Sequence, residues 1–202
     1  VQYDAILFDF DGTLVDSEPI HFEAWKQILA PFGLQLSWDE YCRNCIGVSD
    51  KAMIRQLADE VGLDFEELYA QYPRKKELLR DRMLAAPPMT EGVRNFLLQF
   101  ESLPMGLVTS SYKLEVEPVL EALAVRHRFR ASVFGDEVQN LKPHPEPYLL
   151  AAERLGVMRP LVFEDSDAGL ASAKAAGFTA IRVEDPAELP NQLLRLFGGS
   201  GS

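Results

Sequence analysis

In the stretch YDAILFDFDGT an apolar run, Ala5 to Phe8, ends in Asp9, and Asp11, Gly12 and Thr13 follow at once. Two carboxylates this close repel, and burial strengthens the repulsion. Elsewhere Thr109, Ser110 and Ser111 follow the run PMGLV, Glu164 and Asp165 follow PLVF, and Lys142 sits in the loop NLKPHPEPY. If those runs are parallel strands of one sheet, all these groups share one edge. Asp9, Asp11, Glu164 and Asp165 would then crowd together unless a cation joined them. A hard dication, Mg²⁺, suits carboxylate, carbonyl and water oxygens and bridges carboxylates to phosphate. With the metal there, one acid can act as nucleophile and another as acid–base group. Lys142 and the hydroxyls of Thr109 and Ser110 supply donors that the oxygens of a phosphoryl group require.

The elements that must position these groups follow from the apolar pattern. Residues 4–9, 104–109, 132–135, 160–165 and 179–183 are short apolar runs with little alternation, the mark of strands buried on both faces. Helical patterns lie between them at 113–125, 146–156 and 168–176, and Gly156 and Gly177 suit left-handed caps. Strand alternating with helix reads as a parallel α/β sheet of Rossmann-like type. Residues 17–87 break the rhythm with helix after helix. Ser17 suits a cap, Pro19 a first turn, and Phe22, Trp25, Ile28 and Leu29 form an apolar stripe. The expected plan is therefore an α/β core of residues 1–16 and 88–197, a helical cap of residues 17–87, and a linker-like tail, GGSGS, at 198–202. An insert leaving directly after the paired acids would overhang the carboxyl ends of the strands, where open α/β sheets bind ligands.

Composition narrows the classes. The 202-residue chain is 47% hydrophobic and carries 20 Lys and Arg against 31 Asp and Glu, a net charge of −11. That balance argues against phosphate-backbone binding to nucleic acid, and self-repulsion favours a monomer. No apolar run reaches the ~20 residues that cross a bilayer, and no secretory signal is visible at the N-terminus. Cys42 and Cys45 have C-x-x-C spacing, but without a second pair or a nearby His they read as helix thiols. A reducing, cytoplasmic setting is the expectation.

DFDGTLVDS, the strand end at Thr109, Lys142 and EDSDAG together resemble the four motifs of the haloacid-dehalogenase-like hydrolase superfamily. The likeness is to its phosphatase and β-phosphoglucomutase branch with a helical cap. HFEAWK (21–26) and GVS (47–49) are similar to cap segments of sugar-phosphate-handling members. The resemblance implies that Asp9 attacks phosphorus to form an aspartyl-phosphate, while Asp11 protonates the leaving oxygen and later activates water. It implies that Thr109 and Lys142 hold phosphoryl oxygens. Asp9, the backbone carbonyl of Asp11 and Asp165 would coordinate Mg²⁺, with Glu164 as ligand or close support. Ser110, His21, Gly47 and Ser49 are the implied substrate contacts. An acid at Asp11 favours phosphoryl transfer over dehalogenation.

The implied activity is a Mg²⁺-dependent phosphatase of a small phosphorylated metabolite, with a sugar phosphomutase as the alternative. The mutase pattern has an arginine after GVS that reads a second phosphate, where this chain has Asp50. Glu146 stands where the family usually has an aspartate in the lysine loop. From another class, a phospho-accepting regulatory module would use a similar Asp, Mg²⁺, hydroxyl and Lys. Such modules are shorter and lack an insert after the nucleophile strand. Each group also has a plain reading: a turn for Asp9-x-Asp11-Gly12, a helix cap for Thr109 and Ser110, and core packing for Trp25.

Overall fold

The computed structural model describes residues 2–46, 48 and 50–197. Along the chain come β1 (Ala5–Phe8), α1 (Glu18–Leu29), α2 (Trp38–Asn44), α3 (Asp50–Val61), α4 (Phe65–Tyr69) and α5 (Tyr72–Ala85). Then follow α6 (Glu91–Gln99), β2 (Met105–Val108), α7 (Lys113–Ala122), β3 (Phe129–Val133) and α8 (Glu146–Leu155). The chain closes with β4 (Pro160–Glu164), α9 (Asp167–Ala175), β5 (Thr179–Arg182) and α10 (Leu189–Phe197). Two compact units emerge, one of residues 1–16 and 87–202 and one of residues 17–86. Among the described residues no helix is long and apolar enough to cross a membrane.

The first unit is an α/β fold with all strands parallel, in the order β3-β2-β1-β4-β5. β1 is central: Ile6 pairs with Met105 on one side and with Leu161 on the other. All four residues of β1, AILF, are buried. A strand covered on both faces has no solvent side, which is why alternation is missing from its sequence. The chain winds from β1 outward through β2 to β3, then returns to the other flank for β4 and β5. That reversal creates a crevice at the carboxyl ends of the central strands.

The third strand begins earlier than the sequence pattern predicts, at Phe129 rather than at Ser132. Arg130 is exposed while the other four residues of the strand are buried, so one charged position breaks its apolar run, and Phe134 leads instead into a 3-10 turn. Gly156 (φ 68°) and Gly177 (φ 81°) take the expected left-handed conformation behind α8 and α9. Ser17 does not cap α1: its backbone is already helical (φ −83°, ψ −17°) and its hydroxyl makes no capping bond.

The second unit is helical and has its own core. Trp25, Ile28 and Leu29 of α1 pack with Tyr41, Met53, Ile54 and Leu68. Into this core α5 sends Lys75, whose side chain is only 1% exposed. Its Nζ lies 2.9 Å from Asp50 Oδ2, 3.0 Å from His21 Nδ1 and 5.0 Å from the centre of the Trp25 ring. An ammonium can only donate, so Nδ1 of His21 accepts and the ring proton sits on Nε2. Trp25 Nε1 donates to the other oxygen of Asp50 at 3.3 Å. Tyr41 donates its hydroxyl to Glu18 at 2.6 Å, which gives a second polar link inside the same bundle.

Burial alone would raise the pKa of Asp50, but the charge of Lys75 and its hydrogen bond outweigh that and hold it below its ordinary value. A depressed carboxylate stabilises the fold above its unfolded pKa, and the contribution disappears as pH falls through the folded value. Asp50→Asn leaves the buried ammonium uncompensated and is expected to cost about 3 kcal/mol at pH 7. In chemical denaturation the gap between variant and wild type should narrow below about pH 4. An equal gap at pH 7 and pH 3 would refute the pair as its source.

Candidate functional site

The site stands on the carboxyl ends of β1, β2 and β4. Asp9 follows β1 directly, and its backbone N–H donates to Phe163 O of β4 at 3.0 Å. Its carboxylate is buried and accepts from Lys142 Nζ at 2.5 Å. The same ammonium donates to Val108 O at 3.0 Å and to Glu164 Oε1. Three N–H groups therefore meet three acceptors, and the cation is locked between β1, β2 and β4.

Glu164 is fully buried and uses both oxygens. Oε1 accepts from Lys142 and from the Tyr148 hydroxyl, the latter at 3.0 Å; Oε2 accepts from the N–H and hydroxyl of Ser166, each at 3.0 Å. Space for that carboxylate exists because residue 169 is glycine. A Cβ there would lie 1.8 Å from Oε1. Ser166 also caps α9 by accepting from Gly169 N–H at 3.0 Å. One hydroxyl thus joins the helix start to the buried acid.

Electrostatics at this edge are dominated by an acid surplus. Burial drives the pKa of Asp9 well up, Lys142 pulls it down, and Glu164, Asp165 and Asp11 push it up again. Burial, and then the charge of Glu164, raise Asp165 to about 7. Glu164 goes the other way: burial would raise it, yet Lys142 and the hydrogen bonds hold it low. Lys142, despite a burial that disfavours its charge, is held protonated by Asp9 and Glu164. One ammonium cannot balance this group.

Carboxylate oxygens of Asp9, Glu164 and Asp165 lie within 4.8 Å of one another, a donor set of hard oxygens that suits a divalent cation. Since Glu164 is already committed to Lys142, Tyr148 and Ser166, the acids with capacity to spare for such an ion are Asp9 and Asp165.

Asp11 sits on a tight turn. Leu14 N–H donates to Phe10 O at 2.9 Å and Gly12 N–H to Val15 O at 2.9 Å, while Phe10, Leu14 and Val15 anchor the turn in the core. Gly12 has φ +72°, and a Cβ on it would lie 2.2 Å from Asp165 Oδ2. Only glycine satisfies both the left-handed backbone and that approach. The carboxylate of Asp11 accepts from Ser111 Oγ at 2.7 Å.

Thr109 is buried at the end of β2, and its Oγ1 accepts from Ser111 N–H at 3.0 Å. That leaves its hydroxyl proton as the part it can give. Ser110 is exposed beside it. Neither residue caps the following helix, because the N-cap of α7 is Tyr112. Lys142 is carried by a loop tied down by Glu146, which accepts from Gln139 N–H at 2.8 Å and Asn140 N–H at 3.0 Å.

The first unit thus brings Asp9, Asp11, Thr109, Ser110, Lys142, Glu164 and Asp165 to one edge. His21 belongs to the second unit, where it pairs with Lys75. Gly47 and Ser49 lie outside the described residues. Sequence reasoning did not single out Tyr148, Ser166, Lys75 or a role for Ser111. The signal for Lys75 was its spacing, three residues from both Tyr72 and Leu78 on one apolar helix face. Nothing in the sequence links Tyr148 to Glu164.

Comparison with known proteins agrees with this geometry. Residues 6–183 match the family model described as haloacid dehalogenase-like hydrolase. The chain is 34% identical over 187 residues to the fructose-1-phosphate phosphatase YqaB of Escherichia coli, covering 90% of this chain and 97% of that protein. It is 34% identical over 184 residues to a phosphorylated carbohydrates phosphatase of Thermotoga maritima, covering 88% and 83%. Among solved structures, CbbY from Rhodobacter sphaeroides in complex with phosphate superposes with a TM-score of 0.71 at 26% identity, covering 89% of this chain and 85% of that one. An acid pair just after a central parallel strand, a lysine locked against the first acid and a family match across nearly the whole sheet lead to one assignment: the chain belongs to the haloacid dehalogenase-like hydrolase family, within its phosphatase and phosphomutase branch.

Proposed function

We propose that the chain, a phosphatase of this family, hydrolyses the monophosphate ester of a small sugar through a phosphorylated Asp9. The observation that carries this reading is the buried Asp9 carboxylate, held at 2.5 Å by Lys142, with Asp11 two residues on and Asp165 close enough to share a cation. The relatives named for fructose 1-phosphate and phosphorylated carbohydrates support the substrate class.

In this mechanism an Asp9 oxygen attacks phosphorus in line with the leaving alkoxide. Lys142 favours the charged form of that carboxylate and aims it, and Glu164 keeps Lys142 in place. The Thr109 hydroxyl donates to a phosphoryl oxygen, and Ser110 lies at the exposed rim. Asp11 gives its proton to the leaving oxygen and afterwards takes one from the water that splits the aspartyl-phosphate. Asp9, Asp165 and the backbone carbonyl of Asp11 would hold Mg²⁺, with Glu164 supporting from behind. When bound, the ion neutralises charge on the transferring phosphoryl group.

Hydrolysis is favoured over mutase chemistry by Asp50. It stands where the β-phosphoglucomutase pattern has an arginine, and it is already paired with Lys75 at 2.9 Å. A mutase has to hold a bisphosphate in two orientations, and an acid at that position opposes the second phosphate. His21, Gly47 and Ser49 are the proposed cap contacts of the sugar.

The test is phosphorus NMR with Mg²⁺ against hexose, pentose and triose phosphates and nucleotides. Inorganic phosphate released from a sugar phosphate is the expected result. Movement of phosphate between carbons would make the chain a mutase. Asp9→Asn should cut turnover by about 10⁴-fold or more with an unchanged circular dichroism spectrum; substantial residual turnover would exclude Asp9 as nucleophile. Chelation by EDTA should stop turnover and added Mg²⁺ should restore it, whereas full activity in EDTA would overturn the metal assignment.

A further inference from the structure

We infer that Arg182 is a positioning residue for Asp165, strapping the turn between β4 and α9 so that the Asp165 carboxylate stays beside Asp9 and Glu164 for a divalent ion. This role rests on the proposed Mg²⁺ site and adds to it a residue outside the acid cluster. β4 and β5 stay paired to their ends, with Glu164 opposite Arg182. Asp165 lies past the end of that ladder, and a backbone carbonyl in such a place needs another donor. Arg182 supplies it: Nη1 donates to Asp165 O, and Nη2 of the same guanidinium donates to the carboxylate of Asp167, the first residue of α9.

Both peptide units that flank Asp165 are thereby held. The one before it is fixed because Glu164 O accepts from Val183 N–H at 2.8 Å. The one after it is gripped at both polar ends. Its carbonyl accepts from Arg182, and its N–H, that of Ser166, donates to Glu164 Oε2 at 3.0 Å. Peptide units are planar, so fixing both planes sets φ and ψ of Asp165 and the direction in which its side chain leaves the backbone. That direction has little tolerance. A Cβ on Gly12 would stand 2.2 Å from Asp165 Oδ2, so the acid fits against bare backbone. On its other side it has to keep an oxygen within 4.8 Å of oxygens of Asp9 and Glu164.

Arg182 is itself anchored. Its carbonyl accepts from Gln192 Nε2 of α10 at 3.4 Å, and its Nε lies 3.9 Å from Glu184 Oε1. A guanidinium suits the task because its donors form a rigid planar fork, whereas a lysine offers a point charge on a flexible stem. Charge and position predict opposite signs for metal binding. A cation near the acid edge repels a dication, so through space alone its loss would tighten binding. Loss of the strap would loosen it.

The test uses Mn²⁺ as the probe, because oxygen donors suit it as they suit Mg²⁺. Free Mn²⁺ gives an electron paramagnetic resonance signal that binding removes, so affinity is read on the full chain without substrate. Arg182→Met is expected to weaken Mn²⁺ binding by about 10-fold or more. Arg182→Lys keeps the charge but loses the fork, and should fall between Met and wild type. The Mg²⁺ concentration for half-maximal phosphatase activity should rise by the same factor, while turnover at saturating Mg²⁺ approaches that of wild type. Circular dichroism of the metal-free variants checks the fold, and if Arg182→Met does not fold, Arg182→Lys carries the test alone. Binding by Arg182→Met as tight as wild type or tighter would show that Arg182 does not position Asp165. Wild-type affinity in Arg182→Lys would overturn the strap as well, since the fork would then be dispensable. Asp165→Asn is the parallel control and should lose Mn²⁺ binding. If wild type holds no Mn²⁺, or Asp165→Asn binds it equally well, the metal role of Asp165 fails, and that of Arg182 fails with it.

Discussion

The arrangement depends on one contact set: the Lys142 ammonium held between Asp9 and Glu164 on the ends of neighbouring strands. Without it, two buried carboxylates would face each other across a sheet that offers them no water. With it, β1 and β4 can both end in an acid, and the ammonium offsets part of the burial and repulsion that push the pKa of Asp9 up. Everything nearby serves this compromise. Tyr148 and Ser166 saturate Glu164, glycine at 169 makes room for it, and Glu146 fixes the loop from which Lys142 reaches in. The compromise is incomplete, because Asp165 and Asp11 add two more carboxyl groups beside a single cation. A cluster with this imbalance is one that a divalent ion could complete.

The fold was legible because its physics is local. A run such as AILF before an acid has few interpretations, and its repetition with helices between makes a parallel sheet. The edge strand β3 was the weak point. Arg130 interrupts its apolar run because an edge strand has a solvent side, and the eye moves to the next apolar stretch. Ser17 misled for a related reason: a serine before a proline-bearing helix looks like a cap, but here the chain enters the helix one residue early.

The charged residues at the strand ends were legible too, since acids and a lysine among apolar runs have no packing role that would explain them. Their supporting partners were not. Tyr148 looks like any aromatic on the buried face of α8, and only the fold shows its hydroxyl under Glu164. Lys75 lies in the run PRKKE, where three adjacent cations look equally solvated. Its burial depends on the rotational phase of α5 against α1, which no single position reveals. Sequence announces the charged groups at the strand ends; the groups that hold them are chosen by distance in space.

The central place of β1 has a consequence for how the molecule comes into being. The strand that ends at Asp9 precedes the other four along the chain, yet its two neighbours are residues 105–108 and 160–164. Pairings this distant in sequence are slow to form, because a long loop has to close before any contact repays it. The helical unit, by contrast, is built from one contiguous stretch and can condense while the rest is still being synthesised. During synthesis β1 gains its first neighbour only once residues 105–108 are made, and its second only after residues 160–164. Catalytic competence therefore arrives late and all at once, when β4 docks beside β1 and brings Glu164 to Lys142.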